Sequence, residues 1–376
     1  EGLLDAYVSC YTSPKTRAVE TLEALGFSTY TTVPEFSTLP GEFEAHAAHV
    51  KALHDRTGCT ILEAYMAIPA THVALEAFGQ AFFGKILQFG EALHPRENAL
   101  VVSHGGSIEA GVLAAMPDWS LKDIGGEFAE CEGVRFVFQH TPNAEAPSEY
   151  CFYLPDHKAL CMAEIASHTL HNLYTLRGAK VRDALAWSKH IHEAIRLFGS
   201  DAEVVFGSHH WPTWGNDGVR ETLAGQRDLY RYLHDQTLRL ANHGYGPAEI
   251  AEMLELPEGI GGRFANRGYY GSVNHDVKAV YNFYLGWFDA NPANLHPLPP
   301  VEAGAKFVEY AGGAATLMER ARADFDAGEY RWVAEAVNHL VFADPENVAA
   351  KELLADTYEQ MAYQAESGPW RNFYLA

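Results

Sequence analysis

Residues 145–180 read EAPSEYCFYLPDHKALCMAEIASHTLHNLYTLRGAK, and residues 204–215 read VVFGSHHWPTWG. Short apolar runs typical of buried strands alternate here with loop-like segments. Glu145, Glu164 and His209 stand at loop positions next to these runs. Carboxylate and imidazole are donors that a divalent metal such as zinc takes in proteins. The pattern therefore predicts a metal site on an α/β framework, with these three residues as ligands.

Two motifs upstream of this stretch predict a parallel α/β sheet. In SPKTRAVET, Ser13 suits a helix N-cap, and Arg17 follows in the first turn, where backbone N–H groups favour an anion. In ALVVSHGGS, an apolar strand leads through His104 and two glycines into a new helix. His104 is thereby placed at the carboxyl end of a strand, where α/β sheets bind ligands.

The chain becomes mostly helical from residue 245 onwards. Apolar residues recur at helical spacing, and Asp344-Pro345 interrupts the pattern near the end. The last two helices predict a tetratricopeptide-like hairpin. The predicted helices are 248–254, 277–288, 300–310, 314–328, 330–343 and 348–364.

Residues 133–376 resemble the type III alkyl sulfatases, enzymes of the metallo-β-lactamase fold that hydrolyse sulfate esters of fatty alcohols. The phrases LYTLRGAKVRDA, SHHWPTWG, YLHDQTLRLAN, GYYGSV, LGWFDANPANLHPLPP and ESGPWRNFYL carry the resemblance. It implies that Glu145 binds one zinc, that Glu164 bridges two zinc ions, and that His209 binds the second. It also implies a homodimer formed through residues 245–376.

The same resemblance suggests residues that bind the substrate. Arg177 matches an arginine that contacts the sulfate, and a planar guanidinium suits two sulfate oxygens. A structural ion pair is the alternative for Arg177. His171 and Asn172 are expected to line the pocket. Tyr270 and His275 are weaker pocket candidates, with ordinary packing as the alternative.

One family motif is absent from this sequence. The other zinc ligands of alkyl sulfatases come from an H-x-H-x-D-H loop, and the chain contains no such string. The resemblance therefore predicts an incomplete metal site, which is damaged unless another chain completes it.

Residues 1–132 resemble the histidine phosphatases related to phosphoglycerate mutase, through the SPKTRAVET and ALVVSHGGS motifs. The resemblance implies that Arg17 and His104 hold a phosphoryl group, with Glu35 or Glu44 as the acid. The R-H-G motif that carries the nucleophilic histidine is missing. No phosphohistidine is then expected, and the first strand of that fold is expected to be missing as well.

These patterns predict an α/β chain followed by an all-α region. The predicted parts are a histidine-phosphatase-like region (1–135), half of an αββα metallo-β-lactamase-like domain (136–244) and a helical dimerisation domain (245–376). A fusion of two partial families is one interpretation. A single family with an unusual N-terminal domain is the other.

Composition narrows the classes of partner. The chain has 376 residues and a net charge of -22, from 49 acidic and 27 basic side chains. This surplus argues against nucleic acid or anionic membranes as partners. No uncharged apolar run is long enough for a membrane span, no signal-peptide pattern is visible, and the five cysteines show no C-x-x-C spacing.

The sequence thus leaves three functions open. The first is a metal-dependent alkyl sulfatase acting on a small alkyl sulfate. The second is a phosphate-binding protein of the histidine-phosphatase type, and the third is a non-catalytic protein that dimerises.

Overall fold

The chain divides into two units in the computed structural model. The structure describes residues 7, 9–37, 41–93, 99–115, 135–147 and 149–376. The first unit contains residues 1–140 and 150–160, and the second contains residues 141–149 and 161–376. The expected order, a mixed α/β region followed by a helical region, is present.

The first unit alternates short strands with helices. In chain order its elements are β1 Ser9–Thr12, α1 Thr16–Ala24, β2 Thr31–Thr32, α2 Ala47–Thr57, α3 Ile61–Met66, α4 Pro69–Ala92, β3 Ala99–Val102, α5 Gly105–Ala115, β4 Val137–His140 and β5 Tyr150–Leu154. Strand β6, Ala159–Cys161, crosses the division between the units.

Strands β1, β2 and β3 form the predicted parallel sheet, with β1 in the centre. Cys10 pairs with Leu100, and Tyr11 lies between Thr31 and Val101. Because parallel strands end at the same edge of a sheet, the residues that follow β1 and β3 come close together. The backbone N–H of Ser13 donates to the carbonyl of Val102 across that edge, at 3.0 Å.

Aromatic side chains fill much of the first unit's core. Phe36 is fully buried and packs against Phe82, with ring centroids 4.8 Å apart. In the antiparallel pair of β4 and β5, Phe138 lies opposite Phe152. Part of the suggested junction, residues 132–134, lies outside the described residues.

The second unit is mainly helical. Its elements, which follow β6 in chain order, are α6 Ala184–Phe198, β7 Val204–Phe206, β8 Thr213–Trp214, α7 Asn216–Asn242, α8 Pro247–Met253, α9 Glu258–Gly261, α10 Val273–Leu285, α11 Pro300–Tyr310, α12 Ala314–Asp326, α13 Tyr330–Ala343, α14 Val348–Gln364 and α15 Gly368–Leu375. The predicted bounds of α11, α13 and α14 are confirmed.

Helices α6 and α7 form the framework behind the candidate site. The side chain of Asp183 caps α6 by accepting from the N–H groups of Leu185 and Ala186. Trp187 on α6 and Tyr230 on α7 are both fully buried and stack with ring centroids 4.7 Å apart. These two rings support the loop that contains His171.

The helices after α10 have a separate apolar core. Val333, Val337 and Leu340 of α13 are buried against Leu353 and Leu354 of α14. Within the residues that the structure describes, none of the helices is both long and apolar enough to cross a membrane.

Candidate metal centre

Three side chains from separate loops of the second unit converge. Glu145 lies in the turn after β4, Glu164 follows β6, and His171 lies in the loop that leads to α6. One donor atom from each of the three lies within 4.8 Å of the others. Two carboxylates and an imidazole at this spacing could hold one divalent metal ion.

His171 is held in place from several sides. Its backbone N–H donates to the hydroxyl of Tyr230 at 3.1 Å. Its buried ring lies between the rings of Trp187 and Tyr270, with centroid distances of 5.4 and 4.8 Å. Its Nε2 is 3.4 Å from a carboxylate oxygen of Glu164. The sequence placed His171 in the pocket lining, whereas the structure places it among the candidate ligands.

Glu164 lies between two imidazoles. His171 approaches its Oε2, and His209 Nε2 is 3.2 Å from its Oε1. The hydrogen bond and charge of His171, with a smaller effect of His209, lower the pKa of Glu164 to about 2. Glu164 is therefore ionised near neutral pH and has no proton to lose when it binds a cation. The structure thus brings two of the predicted ligands, Glu145 and Glu164, together with His171, whereas His209 contacts Glu164 but is not part of that cluster.

Arg182 is the cation that contacts Glu145. Its guanidinium forms an ion pair with the Glu145 carboxylate, and its Nε donates to the Glu145 backbone carbonyl at 2.7 Å. The same side chain donates to the backbone carbonyl and the Oδ1 of Asn172, at 2.8 and 3.1 Å. The amide of Asn172 thus has a structural partner next to His171.

Glu149 is a site residue that the sequence reasoning missed. Its carboxylate accepts backbone N–H groups from Glu164, Ala146 and Glu145. Burial and the charge of Glu145 outweigh these hydrogen bonds and raise the pKa of Glu149 to about 7. The available signal was an acidic residue placed between two candidate ligands in EAPSE, a segment that predicts only a turn.

The predicted substrate-binding residues Arg177 and His275 are not members of the described ligand cluster. Arg177 is exposed, and no contact described for it joins it to the cluster. His275 is used structurally, since its Nε2 is 2.6 Å from the carbonyl of Tyr174 and its Nδ1 accepts from the indole N–H of Trp370 at 3.3 Å. Burial lowers the pKa of His275, which favours the neutral ring.

A second polar group lies in the first unit, at the edge where β1 and β3 end. His104 Nε2 is 3.1 Å from Ser13 Oγ. Burial and the nearby charges of Arg17 and Lys15 lower the pKa of His104. The two predicted phosphoryl-binding residues, Arg17 and His104, therefore lie close enough to interact.

The two candidate acids of the first unit differ in their partners. Glu35 is 3.3 Å from the ammonium of Lys85, which fixes it in an ion pair. Glu44 is exposed in a short 3₁₀ helix. Neither has a described contact with His104.

Residues 246–376 match a family model described as alkyl sulfatase dimerisation. The linear primary-alkylsulfatase of Pseudomonas sp. is 51% identical over 288 residues, which cover 76% of this chain and 43% of that protein. The alkyl/aryl-sulfatase BDS1 of Saccharomyces cerevisiae is 49% identical over 289 residues, which cover 77% of this chain and 45% of that protein. This chain is related to the alkyl sulfatases.

A solved structure agrees with this relationship. The stereoselective inverting sec-alkylsulfatase Pisa1 of Pseudomonas sp. superimposes with a TM-score of 0.64 at 46% identity, over 65% of this chain and 38% of that one. The chain thus spans less than half the length of these alkyl sulfatases. The match to the linear primary-alkylsulfatase covers more of the chain than residues 133–376 contain, so the similarity extends upstream of Gly133.

Proposed function

We propose that the second unit carries the metal-binding half of a hydrolase site of the alkyl sulfatase type, which acts on sulfate esters of fatty alcohols. The convergence of Glu145, Glu164 and His171 within 4.8 Å carries this proposal. The relationship to alkyl sulfatases supplies the class of substrate.

The charges and donors of the cluster suit a divalent cation such as zinc. The carboxylates of Glu145, Glu149 and Glu164 lie close together, and Arg182 neutralises one of them. A metal ion held by Glu145, Glu164 and His171 would relieve the remaining repulsion, and His209 already contacts Glu164. A bound divalent metal supplies a Lewis acid that polarises an ester oxygen and lowers the pKa of water.

Other residues of this chain would position the metal ligands and the sulfate group. Arg182 holds the Glu145 segment against Asn172, and Tyr230 fixes the backbone at His171. The exposed guanidinium of Arg177 has the planar geometry that pairs with two sulfate oxygens. In hydrolysis, water would add to the ester, and its products would be the alcohol and inorganic sulfate.

The first test measures bound zinc in the chain purified without chelator or histidine tag. We expect about one zinc per chain, because the cluster offers one set of ligands. Glu164→Gln should lose the zinc because an amide is a weaker ligand than a carboxylate. Glu346→Gln, at an exposed position outside the cluster, is the matched control. Zinc at a hundredfold excess over its Kd should also increase the free energy of unfolding of the wild type by about 2.7 kcal/mol, which raises Tm.

Release of inorganic sulfate from a primary alkyl sulfate then tests the reaction itself. Zinc-dependent release that Glu164→Gln abolishes supports hydrolysis. Zinc binding without release would leave a metal-binding, dimerising chain, in line with the absent H-x-H-x-D-H motif. Zinc content near zero in both proteins would refute the metal centre.

A phosphate-binding function is the second candidate, and the contact between Ser13 and His104 beside Arg17 favours it. The same melting experiment with inorganic phosphate in place of zinc separates the two candidates. A phosphate-dependent rise in Tm that Arg17→Ala removes would support phosphate binding in the first unit.

A further inference from the structure

Glu149 connects the backbones of the two carboxylate ligands. Its Oε2 accepts the backbone N–H of Glu145 at 3.2 Å, and its Oε1 accepts the backbone N–H of Glu164 at 3.3 Å. A third backbone N–H, from Ala146, also donates to this carboxylate. Both oxygens of one planar group are therefore engaged, and each holds a different ligand loop.

This arrangement fixes the spacing between Glu145 and Glu164. The two ligands lie in separate loops, and loops have little internal restraint. A carboxylate whose oxygens bond to both backbones reduces their relative freedom before any metal arrives. On the other side of Glu145, Arg182 joins its carbonyl to Asn172, which neighbours His171. All three ligand loops are thereby connected through two side chains that are not themselves in the predicted ligand set.

We infer that Glu149 is a positioning residue that couples the Glu145 and Glu164 loops and sets the affinity of the cluster for a divalent metal. This inference rests on the proposed function, because it assigns Glu149 a role in the same centre. Partners that orient metal ligands from behind typically contribute 10- to 100-fold to metal affinity.

Two variants of the full chain remove the connection to different extents. Glu149→Ala removes both acceptors. Glu149→Gln keeps one carbonyl oxygen and replaces the other acceptor with an N–H₂ group, so one of the two loops is released. The matched control is Glu249→Ala. Glu249 also accepts a backbone N–H, that of Gly246 at 2.8 Å, but it lies at the start of α8 and has no described link to the ligands.

The measurement is the zinc Kd of each folded protein, obtained by competition with a chelating dye, together with Tm in the absence of metal. Glu149→Ala should weaken zinc binding about 10- to 100-fold. Glu149→Gln should fall between the wild type and Glu149→Ala, and Glu249→Ala should bind zinc as the wild type does. A purely structural role would instead lower the metal-free Tm and leave the Kd unchanged.

The outcomes separate this inference from the proposed function. If the wild type binds zinc, Glu164→Gln loses it, and both Glu149 variants keep the wild-type Kd, the positioning role is overturned and the metal centre stands. If the wild type binds no zinc, the metal centre and the positioning role fall together. If Glu149→Ala does not fold, Glu149→Gln alone decides, and an unchanged Kd in that variant overturns the inference.

Discussion

At the scale of single residues, Asp276 at the start of α10 carries a buried carboxyl group of the second unit. It is fully buried, and its Oδ1 accepts the backbone N–H of Leu173 at 2.8 Å. Its Oδ2 has no partner among the described residues. Burial raises the pKa of Asp276 well above its ordinary value, against the smaller opposing effects of the Leu173 N–H and Arg182. The folded protein therefore favours the neutral acid at this position.

We predict that Asp276→Asn removes a pH-dependent loss of stability. Between the ordinary pKa of about 3.9 and the raised folded pKa, the unfolded chain releases a proton that the folded chain keeps. The stability of the wild type therefore falls as pH rises through that window. The amide of the variant keeps an acceptor for the Leu173 N–H and carries no charge. Urea unfolding midpoints of both proteins, measured from pH 4 to 8, give their relative stability. The stability of Asp276→Asn relative to the wild type should increase with pH.

The control is Asp356→Asn, at an exposed position of α14. Its stability should follow the wild-type curve across the same range of pH. Parallel curves of stability against pH for the wild type and Asp276→Asn would contradict the prediction, because they would mean that Asp276 has the same pKa in the folded and unfolded chain.

The resemblance to alkyl sulfatases, together with residue type, suggests ligands for the candidate centre but does not identify all the residues that surround it. Glu145, Glu164 and His209 follow from that resemblance, and carboxylates and imidazoles are residue types that ligate metals. Arg177 also follows from that resemblance, as a sulfate contact, whereas only packing shows that Arg182 contacts Glu145. Glu149 was missed because its role depends on accepting backbone N–H groups from a distant loop.

At the scale of elements, the contact between α11 and α13 depends on a glycine. Gly304 of α11 is buried, and a Cβ at this position would lie 2.4 Å from the backbone carbonyl oxygen of His339 on α13. Phe307, one turn further along α11, stacks on the ring of His339 with centroids 4.3 Å apart. The close approach of the two helices thus requires a residue without a side chain.

We predict that Gly304→Ala destabilises the second unit by about 1–3 kcal/mol, because overpacking forces the helices apart. Gly259→Ala is the matched control, since Gly259 is exposed, lies in helix α9, and has no atom within 4 Å of the position that a Cβ would take. That variant should be unchanged or more stable by up to about 1 kcal/mol. Urea unfolding followed by circular dichroism measures both, and equal midpoints would argue against close packing at Gly304.

Helix bounds could be predicted well where the apolar period and the chain breakers agree. In α13 and α14 the core residues recur at helical spacing and Asp344-Pro345 separates the two, so both bounds were correct. Strand bounds carry a weaker sequence signal in the first unit, where β2 has only two residues. Short strands carry few periodic positions, and pairing with neighbouring strands fixes their ends.

At the scale of the whole molecule, the chain has a net charge of -22, and one of its segments has exposed apolar side chains. Trp287, Leu295 and Leu298 are 73, 60 and 54% exposed. They lie within residues 246–376, which match the alkyl sulfatase dimerisation model. Exposed apolar side chains that form a contiguous patch mark interaction surfaces, and neighbours along one segment can form such a patch. We therefore expect the segment 287–298 to be one of the surfaces that a second copy covers.

We predict that light scattering gives twice the chain mass of 41.5 kDa, and that Trp287→Asp weakens the dimer. Loss of an interface tryptophan costs about 2 kcal/mol, and both copies carry the change, so the dimer Kd should rise by roughly 30-fold or more. The control is Trp214→Asp, since Trp214 is 66% exposed and lies outside the matched region.

The dimer should also respond to salt. Each copy carries a net charge of -22, so two copies repel each other as they associate. Added salt should screen this repulsion and strengthen the dimer. A dimer that salt weakens would instead indicate an interface built on ion pairs, and a monomer at all concentrations would contradict the expected association.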